Sequence, residues 1–300
     1  MVAETMPMPW RQLPVGVVGL GLIGGSIALD LRQQGLVVHG LVHRPATAER
    51  ALQRDLVDRV STDPAVLQGC GLVVLALPLD GLLDPDPKLL AALPPQAVVT
   101  DVGSVKQPVL ERWQGLHPRF VPSHPMAGTA QAGVEAGLAG LFAGRPWVAT
   151  PAVDTDAAAL ASVQDLATLL GAHWLCCPAA AHDQAVALIS HLPVLVSAAL
   201  LQAADRSAAA AGDELGALVR ALASSGFADT TRVGGGNPQL GTLMARSNRT
   251  ALLQALQGYR HSLAALEQLV QQGEWSGLQG ALQVAQQLRP EFVQPDRSAG

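Results

Sequence analysis

Val15-Gly-Val-Val-Gly-Leu-Gly-Leu-Ile-Gly-Gly-Ser26 decides the fold of this chain. Residues 15–20 are short, apolar and β-branched, the pattern of a strand buried on both faces. They run into Gly19-Leu20-Gly21-Leu22-Ile23-Gly24, and an amphipathic helical pattern follows from Leu22 to about Gln34. Between a strand and a helix, the GxGxxG spacing acquires a physical meaning. Gly19 allows a tight turn, Gly21 lets the backbone approach a pyrophosphate, and Gly24 lets the helix pack closely on the strand. The helix N-terminus adds free N–H groups and a positive dipole end. Residues 19–24 are therefore expected to cradle a dinucleotide. A glycine turn that serves packing alone is the alternative, and the strand–turn–helix context disfavours it.

Three hundred residues accommodate one large domain or two ordinary ones. Hydrophobic residues make up 49% and charged ones 14%, which fits large buried helices and argues against disorder. The net charge of −5, with Lys88 and Lys106 the only lysines, leaves no basic footprint for nucleic acid or a membrane surface. Cys70, Cys176 and Cys177 form neither a disulfide framework nor a CxxC zinc pair, so no metal site is expected. A reducing, cytoplasmic compartment follows as the default. Residues 1–14 read as a loose tail and not as a signal peptide, since no basic region leads into an apolar core. Residues 184–204 carry no Asp, Glu, Lys or Arg and are long enough to span a bilayer. His191, Pro193 and several hydroxyl and amide side chains interrupt them, and no cationic or aromatic flank marks their ends. A helix buried all round in a soluble core is the expectation.

The first part of the chain alternates strand and helix signals, as a doubly wound parallel sheet does. Further strands are expected at residues 37–42, 72–77, 97–102, 120–122, 147–150 and 173–177. Helices are expected at 46–56 (with Thr47 a cap near its start), 88–93, 105–113 and 156–170. Beyond Pro178, Ala/Leu/Gln-rich helical patterns take over at 179–204, 213–224, 248–272 and 274–288. The expected layout is a tail at 1–14, an α/β nucleotide domain at 15–177, an all-α domain at 178–290 and a frayed tail at 291–300. Helices this apolar would bury their surplus surface against a second copy, so a homodimer through the helical domain is expected.

The cofactor's identity turns on the end of the second strand, where NAD-binding folds place a carboxylate for the ribose 2′-OH. Here the chain reads Gly40-Leu-Val-His-Arg-Pro-Ala-Thr47, with no carboxylate until Glu49. Arg44 offers a permanently charged fork to a 2′-phosphate, and His43 and Thr47 can add hydrogen bonds. NADP is therefore the expected cofactor, with Leu77 and Pro78 at the next strand end counted with its site.

Ligands of such sheets lie beyond the carboxyl ends of the strands. Three ends stand out: Leu77-Pro78, Thr100-Asp-Val-Gly-Ser-Val-Lys106 and Ser123-His-Pro-Met-Ala-Gly-Thr129. His124, placed after a strand near the expected nicotinamide, can accept a proton near neutral pH. These motifs, with His182-Asp-Gln-Ala-Val186, Ile189-Ser-His-Leu-Pro193 and Ala223-Ser-Ser-Gly-Phe-Ala-Asp-Thr-Thr-Arg232, resemble the prephenate/arogenate dehydrogenases of tyrosine biosynthesis. Arg232-Val-Gly-Gly-Gly-Asn-Pro238 makes the likeness greatest to the cyanobacterial-type arogenate enzymes.

The resemblance implies a Rossmann domain followed by a helical dimerisation domain. It implies that His124 is the catalytic base for an oxidative decarboxylation, in which hydride leaves the ring carbon bearing the hydroxyl and CO₂ is lost. It implies that Ser104 hydrogen-bonds the substrate hydroxyl and the histidine, that Arg232 binds a substrate carboxylate, and that His191 lies in the substrate pocket. Thr129 is grouped with the substrate residues, and Asp229 with them as an orienter of Arg232 or a gate. Ser104 could at the same time cap the following helix, and from spacing alone His191 reads as a core histidine. Ala130 stands where relatives often have Glu, which removes a carboxylate gate. The triple glycine at 234–236 reads as a flexible interdomain or subunit-interface loop, since no strand precedes it. Scarce cations favour arogenate, with its zwitterionic side chain, over prephenate. The other readings are a β-hydroxyacid or imine reductase, which would need a catalytic Lys or Asp in the lysine-free helical half, and a non-catalytic NADPH-binding regulatory module.

Overall fold

The computed structural model describes residues 8–129, 131–210 and 212–293. The chain packs as two units, Met1–Asn248 and Arg249–Gly300. In the first, β1 (Val15–Val18), α1 (Leu22–Gln33), β2 (Val38–Leu41), α2 (Pro45–Gln53) and β3 (Arg59–Ser61) form the opening half. Then come β4 (Leu72–Leu75), α3 (Leu79–Leu83), α4 (Pro87–Ala92), β5 (Val98–Asp101), α5 (Gln107–Trp113) and β6 (Phe120–Val121). These strands make one parallel sheet in the order β3-β2-β1-β4-β5-β6, the doubly wound order of dinucleotide-binding folds.

Side chains alternate across this sheet. Val15, Val17, Leu72, Val74, Val98 and Val121 face one core layer. Val18, Val73, Leu75, Val99 and Phe120 face the other. Both faces are covered, so the strands read as unbroken apolar runs. Each fully buried Val or Leu contributes about 1.5–3 kcal/mol.

The later strands do not extend that sheet, as the sequence had suggested. β7 (Ser123–Pro125), β8 (Pro146–Ala149) and β9 (His173–Cys176) form a separate three-stranded sheet, with α6 (Ala157–Leu169) between β8 and β9. β7 pairs antiparallel with β8, and His124 lies opposite Val148. His124 is thus inside a strand and not in a loop after one. Pro122 separates β6 from β7 and supplies no N–H to continue the first ladder.

Residues 8–14 are not a loose tail. Pro9–Gln12 form a short 3₁₀ turn with Trp10 buried. Asp165 on α6 accepts from Trp10 Nε1 at 3.0 Å and from Arg11 Nε and Nη2 at 2.7 and 2.6 Å. A cavity of about 140 Å³ beside this turn, lined by Gly71, Val98 and Arg119, lies at the N-terminal ends of β4 and β5, opposite the expected site. Residues 1–7 and 294–300, parts of the two expected tails, lie outside the described residues, as does Ala130. Nor does Thr47 cap α2: Arg44 holds the N-cap position without a side-chain bond, and Thr47 lies in the first turn.

α7 (Ala179–Val186), a π-helical turn (Ala187–His191) and α8 (Leu192–Ala210) form one continuous helical rod. Pro193 explains the π turn. It cannot donate to Ile189 and its ring crowds that carbonyl, so the preceding turn widens. The rod has mean hydropathy 1.9 over its most apolar window, and by length and composition it could cross a membrane. It is not buried all round: only 22% of that window is covered, with Leu188 and Ile189 more than half exposed.

α9 (Asp213–Leu222) packs on α8, and two helices absent from the sequence reading follow, α10 (Ser225–Thr231) and α11 (Pro238–Ser247). Both are under three turns, too short for a clear 3.6-residue period. The glycine-rich loop between them is anchored at Gly234, whose N–H donates to Ser197 Oγ at 2.8 Å. A Cβ there would come within 2.3 Å of the Ala198 nitrogen, so helix and loop backbones touch. The second unit contains α12 (Arg249–Gln272) and α13 (Trp275–Phe292), so the helix runs past Pro290 into the expected C-terminal tail.

Candidate active site

The glycine turn closes at the carboxyl end of β1. Gly19 has φ +90°, and a Cβ there would lie 2.3 Å from the Ala76 carbonyl oxygen. A Cβ at Gly24 would fall 1.9 Å from Gly19 O and 2.8 Å from Ala76 Cβ, so the first turn of α1 sits directly on the strand ends. Gly21, at the N-cap of α1, has nothing within 4 Å of such an atom. That open space above free helix N–H groups is what a pyrophosphate needs. Leu20 is buried, Leu22 and Ile23 are half-buried in the first turn, and Leu77 and Pro78 follow β4 beside the turn.

His43 and Arg44 are exposed beyond β2, and Thr47 is half-buried. Among the described residues no carboxylate pairs with Arg44. The first turn of α2 also carries no acidic residue. The position is cationic and uncompensated.

A buried polar network lies between β5, α5 and β7. Lys106 and Asp101, both without solvent exposure, form an ion pair, and Lys106 Nζ also donates to Ser123 O at 2.7 Å. Asp101 accepts from Gly103 N at 2.8 Å and Ser123 N at 3.1 Å. Ser123 Oγ donates to Asp101 O at 2.8 Å and accepts from Trp147 Nε1 at 3.0 Å. Burial pushes the Lys106 ammonium down, and Asp101 opposes that shift. The network fixes the backbone of Ser123 and so the base of the next side chain, His124.

His124 Nδ1 is 3.0 Å from His182 Nε2, and His182 Nδ1 is 2.8 Å from Asp183 Oδ1. Asp183 also accepts from the first N–H groups of α5, Lys106 N at 2.7 Å and Gln107 N at 2.9 Å. It therefore does at α5 what a capping Ser104 would have done; among the described residues Ser104 makes no capping bond, and it is half-buried in the β5–α5 turn. Asn248 donates to Asp183 O at 2.7 Å and lies 3.3 Å from His191 Nδ1. Burial holds His124 well below the ordinary imidazole range, and the neighbouring His182, Lys106 and His191 push the same way. Burial likewise pushes His191 down to about 4, against the pull of Asp183. His124 is thus a half-buried ring whose neutral form is favoured, and a neutral ring can take a proton.

His191 is buried in the π turn, and its Nε2 has no partner among the described residues. Arg232 caps the C-terminal end of α10 and is exposed, as are Asp229 within that helix and Thr129 beyond β7. Asp229 and Arg232 form no ion pair among the described residues. Thr129 Oγ1 accepts from Gln131 N at 3.2 Å. The structure therefore joins His124 to one polar network, through Asp183 and Asn248, with His191. Three members, His182, Asp183 and Asn248, were given no role in the sequence, although His182 and Asp183 stand in one of the motifs that carry the resemblance.

Two sequence profiles match this chain: the nucleotide-binding domain of prephenate dehydrogenase over residues 27–176, and its dimerization domain over 178–284. The chain belongs to the prephenate dehydrogenase family. Its chemistry is that family's oxidative decarboxylation in tyrosine synthesis, and the likeness drawn from the motifs holds. Among solved structures it is similar to Synechocystis arogenate dehydrogenase, with 44% identity and a TM-score of 0.77, covering 93% of this chain and 100% of that one. It is also similar to Aquifex aeolicus prephenate dehydrogenase in complex with hydroxyphenyl propionate and NAD+. There the identity is 28%, the TM-score 0.86 and the coverage 97% and 100%. The cyclohexadienyl dehydrogenase of Zymomonas mobilis is 31% identical, over 85% of this chain and 86% of its own length. The profile boundary at 176–178 falls within the first packing unit, which ends at Asn248.

Proposed function

We propose that this prephenate dehydrogenase-family chain is an NADP-dependent arogenate dehydrogenase that forms L-tyrosine. The observation that carries the reading is His124, a half-buried imidazole seated in a hydrogen-bonded chain and held below its ordinary range by that burial. His124 takes the proton of the ring hydroxyl as hydride leaves the same carbon. It returns that proton to the ring oxygen as the carboxylate departs as CO₂ and the ring becomes aromatic. The cofactor, when bound, accepts the hydride. Residues 19–24 hold its pyrophosphate, with Leu77 and Pro78 beside it. The uncompensated Arg44, with His43 and Thr47, supports a 2′-phosphate and hence NADP over NAD. Ser104 orients the hydroxyl, and Arg232 pairs with a substrate carboxylate, with His191, Thr129 and Asp229 on the substrate side.

Two features favour arogenate over prephenate. Lys106 is buried and paired, which leaves Arg232 the principal cation for substrate carboxylates and suits a zwitterionic side chain. The 44% identity to an arogenate dehydrogenase spans 93% of the chain. The domain change is placed at 177/178. A homodimer through the helical half covers the apolar side of the rod, and the compartment is the cytoplasm.

The experiment is NADPH or NADH formation with arogenate and prephenate, each with NADP and NAD. Arogenate with NADP is expected to give the highest kcat/KM; a ratio favouring prephenate overturns the substrate, and cofactor binding without turnover of either favours the regulatory module. Arg44→Asp is expected to raise KM for NADP far more than for NAD, and equal effects refute the cofactor assignment. His124→Asn is expected to bind NADP and lose turnover; retained activity removes the base.

A further inference from the structure

Asp183 fixes a direction of hydrogen bonding that reaches His124. A carboxylate has only acceptor sites, so the 2.8 Å contact with His182 Nδ1 requires the proton on that nitrogen. In the neutral form of His182, on which the inference rests, that single proton leaves Nε2 a bare lone pair. That atom lies 3.0 Å from His124 Nδ1, which must then be the donor. His124 Nε2 is left without a proton, facing away from the chain.

We propose that His182 and Asp183 are positioning residues that hold His124 in the Nδ1–H form, so that its Nε2 is always the basic atom. The proposal rests on His124 being the base. Neutral imidazole in water prefers the opposite tautomer, with the proton on Nε2, so an unsupported His124 would present the wrong nitrogen most of the time.

The supports are stiff. His182 and Asp183 are buried in the middle of α7, and Asp183 is immobilised by the N–H groups of the N-cap and first residue of α5. Asn248 ties down its backbone carbonyl. The ionisable groups facing His124 are His182 and Asp183 from α7, Lys106 and Asp101 from the β5–α5 junction, and His191 from the π turn. Of the cations, only Lys106 carries a fixed charge, and Asp101 pairs with it. When His124 gains the substrate proton, its Nδ1–H still donates to His182, with Asp183 behind it to stabilise the positive charge. The wrong tautomer costs a serine protease about 10⁴ in turnover when its orienting carboxylate is replaced.

The test is ¹⁵N–¹H correlation of histidine-labelled full-length protein with NADP bound, with the His124 signal assigned through His124→Asn. The expected spectrum has His124 protonated at Nδ1. His182→Leu is expected to shift it to the Nε2–H form and to lower kcat about 100-fold or more, with KM for the substrate within about threefold. His182→Gln, whose amide oxygen can accept from Nδ1–H, is expected to restore that tautomer and recover about tenfold or more of the lost kcat. A wild-type His124 protonated at Nε2, or a His182→Leu enzyme with kcat within about threefold of wild type, overturns the proposal. Should His182→Leu not fold, the wild-type spectrum and the Gln variant decide. Failure of the base reading looks different: His124→Asn then keeps its turnover whatever the tautomer.

Discussion

Replacing Lys106 with Met tests whether the buried ion pair holds the strand that carries His124 in place. The side chains of Lys106 and Asp101 have no solvent exposure, so Lys106→Met strands a carboxylate that water cannot reach. Gly103 N and Ser123 N still donate to Asp101, but the counter-charge is gone and Ser123 O loses its donor. Removing one partner of a buried pair costs about 3–5 kcal/mol. With a urea m-value of about 2 kcal/mol/M, the unfolding midpoint falls by about 2 M. Tryptophan fluorescence reads the change, because buried Trp147 donates to Ser123 Oγ at 3.0 Å. Adding Asp101→Asn removes the stranded charge, so the double variant should recover part of the loss. A midpoint shift below about 0.5 M for Lys106→Met, or no recovery in the double variant, refutes the argument. Lys106 also helps to hold His124 down, so its loss should move the acid limb of kcat/KM to higher pH.

Gly21→Ala should leave stability unchanged, since a Cβ there meets nothing within 4 Å, yet weaken dinucleotide binding about tenfold or more by occupying the pyrophosphate's approach. Fluorescence titration paired with a denaturation curve measures both, and undiminished affinity would remove residues 19–24 from the cofactor site. His191, held at about 4, makes stability depend on pH. Below about 6.5 the unfolded chain takes up a proton that the folded chain refuses. Stability is therefore full above that pH and falls as the pH drops toward 4, by about 2 kcal/mol between pH 7 and 5. Urea unfolding at the two pH values should show the loss and His191→Asn should reduce it; identical slopes for both proteins would contradict the burial argument.

The likeness between expectation and structure is uneven for a physical reason. β1, β2, β4 and β5 were legible because strands buried on both faces leave continuous apolar runs, and the glycine turn because its spacing is set by backbone geometry within six residues. The residue at the end of β2 was legible too, since strand length fixes what stands there. Residues 8–14 were misread as loose because Trp10 and Arg11 find Asp165 more than 150 positions away. The split into two sheets was missed because β6 and β7 are separated by one proline, and a short apolar run does not name its partner.

By itself the sequence determined the dinucleotide fold, the family and His124 as the candidate base, because each is written in local spacing. Only the tertiary structure decided that His124 leans on His182, 58 positions away, and that Asp183 caps α5 across 77 positions. It also decided that Lys106 is buried against Asp101 instead of facing a substrate. Periodicity and turn chemistry are properties of neighbouring residues. Which ring nitrogen carries a proton is set by acceptors that arrive only when the chain folds.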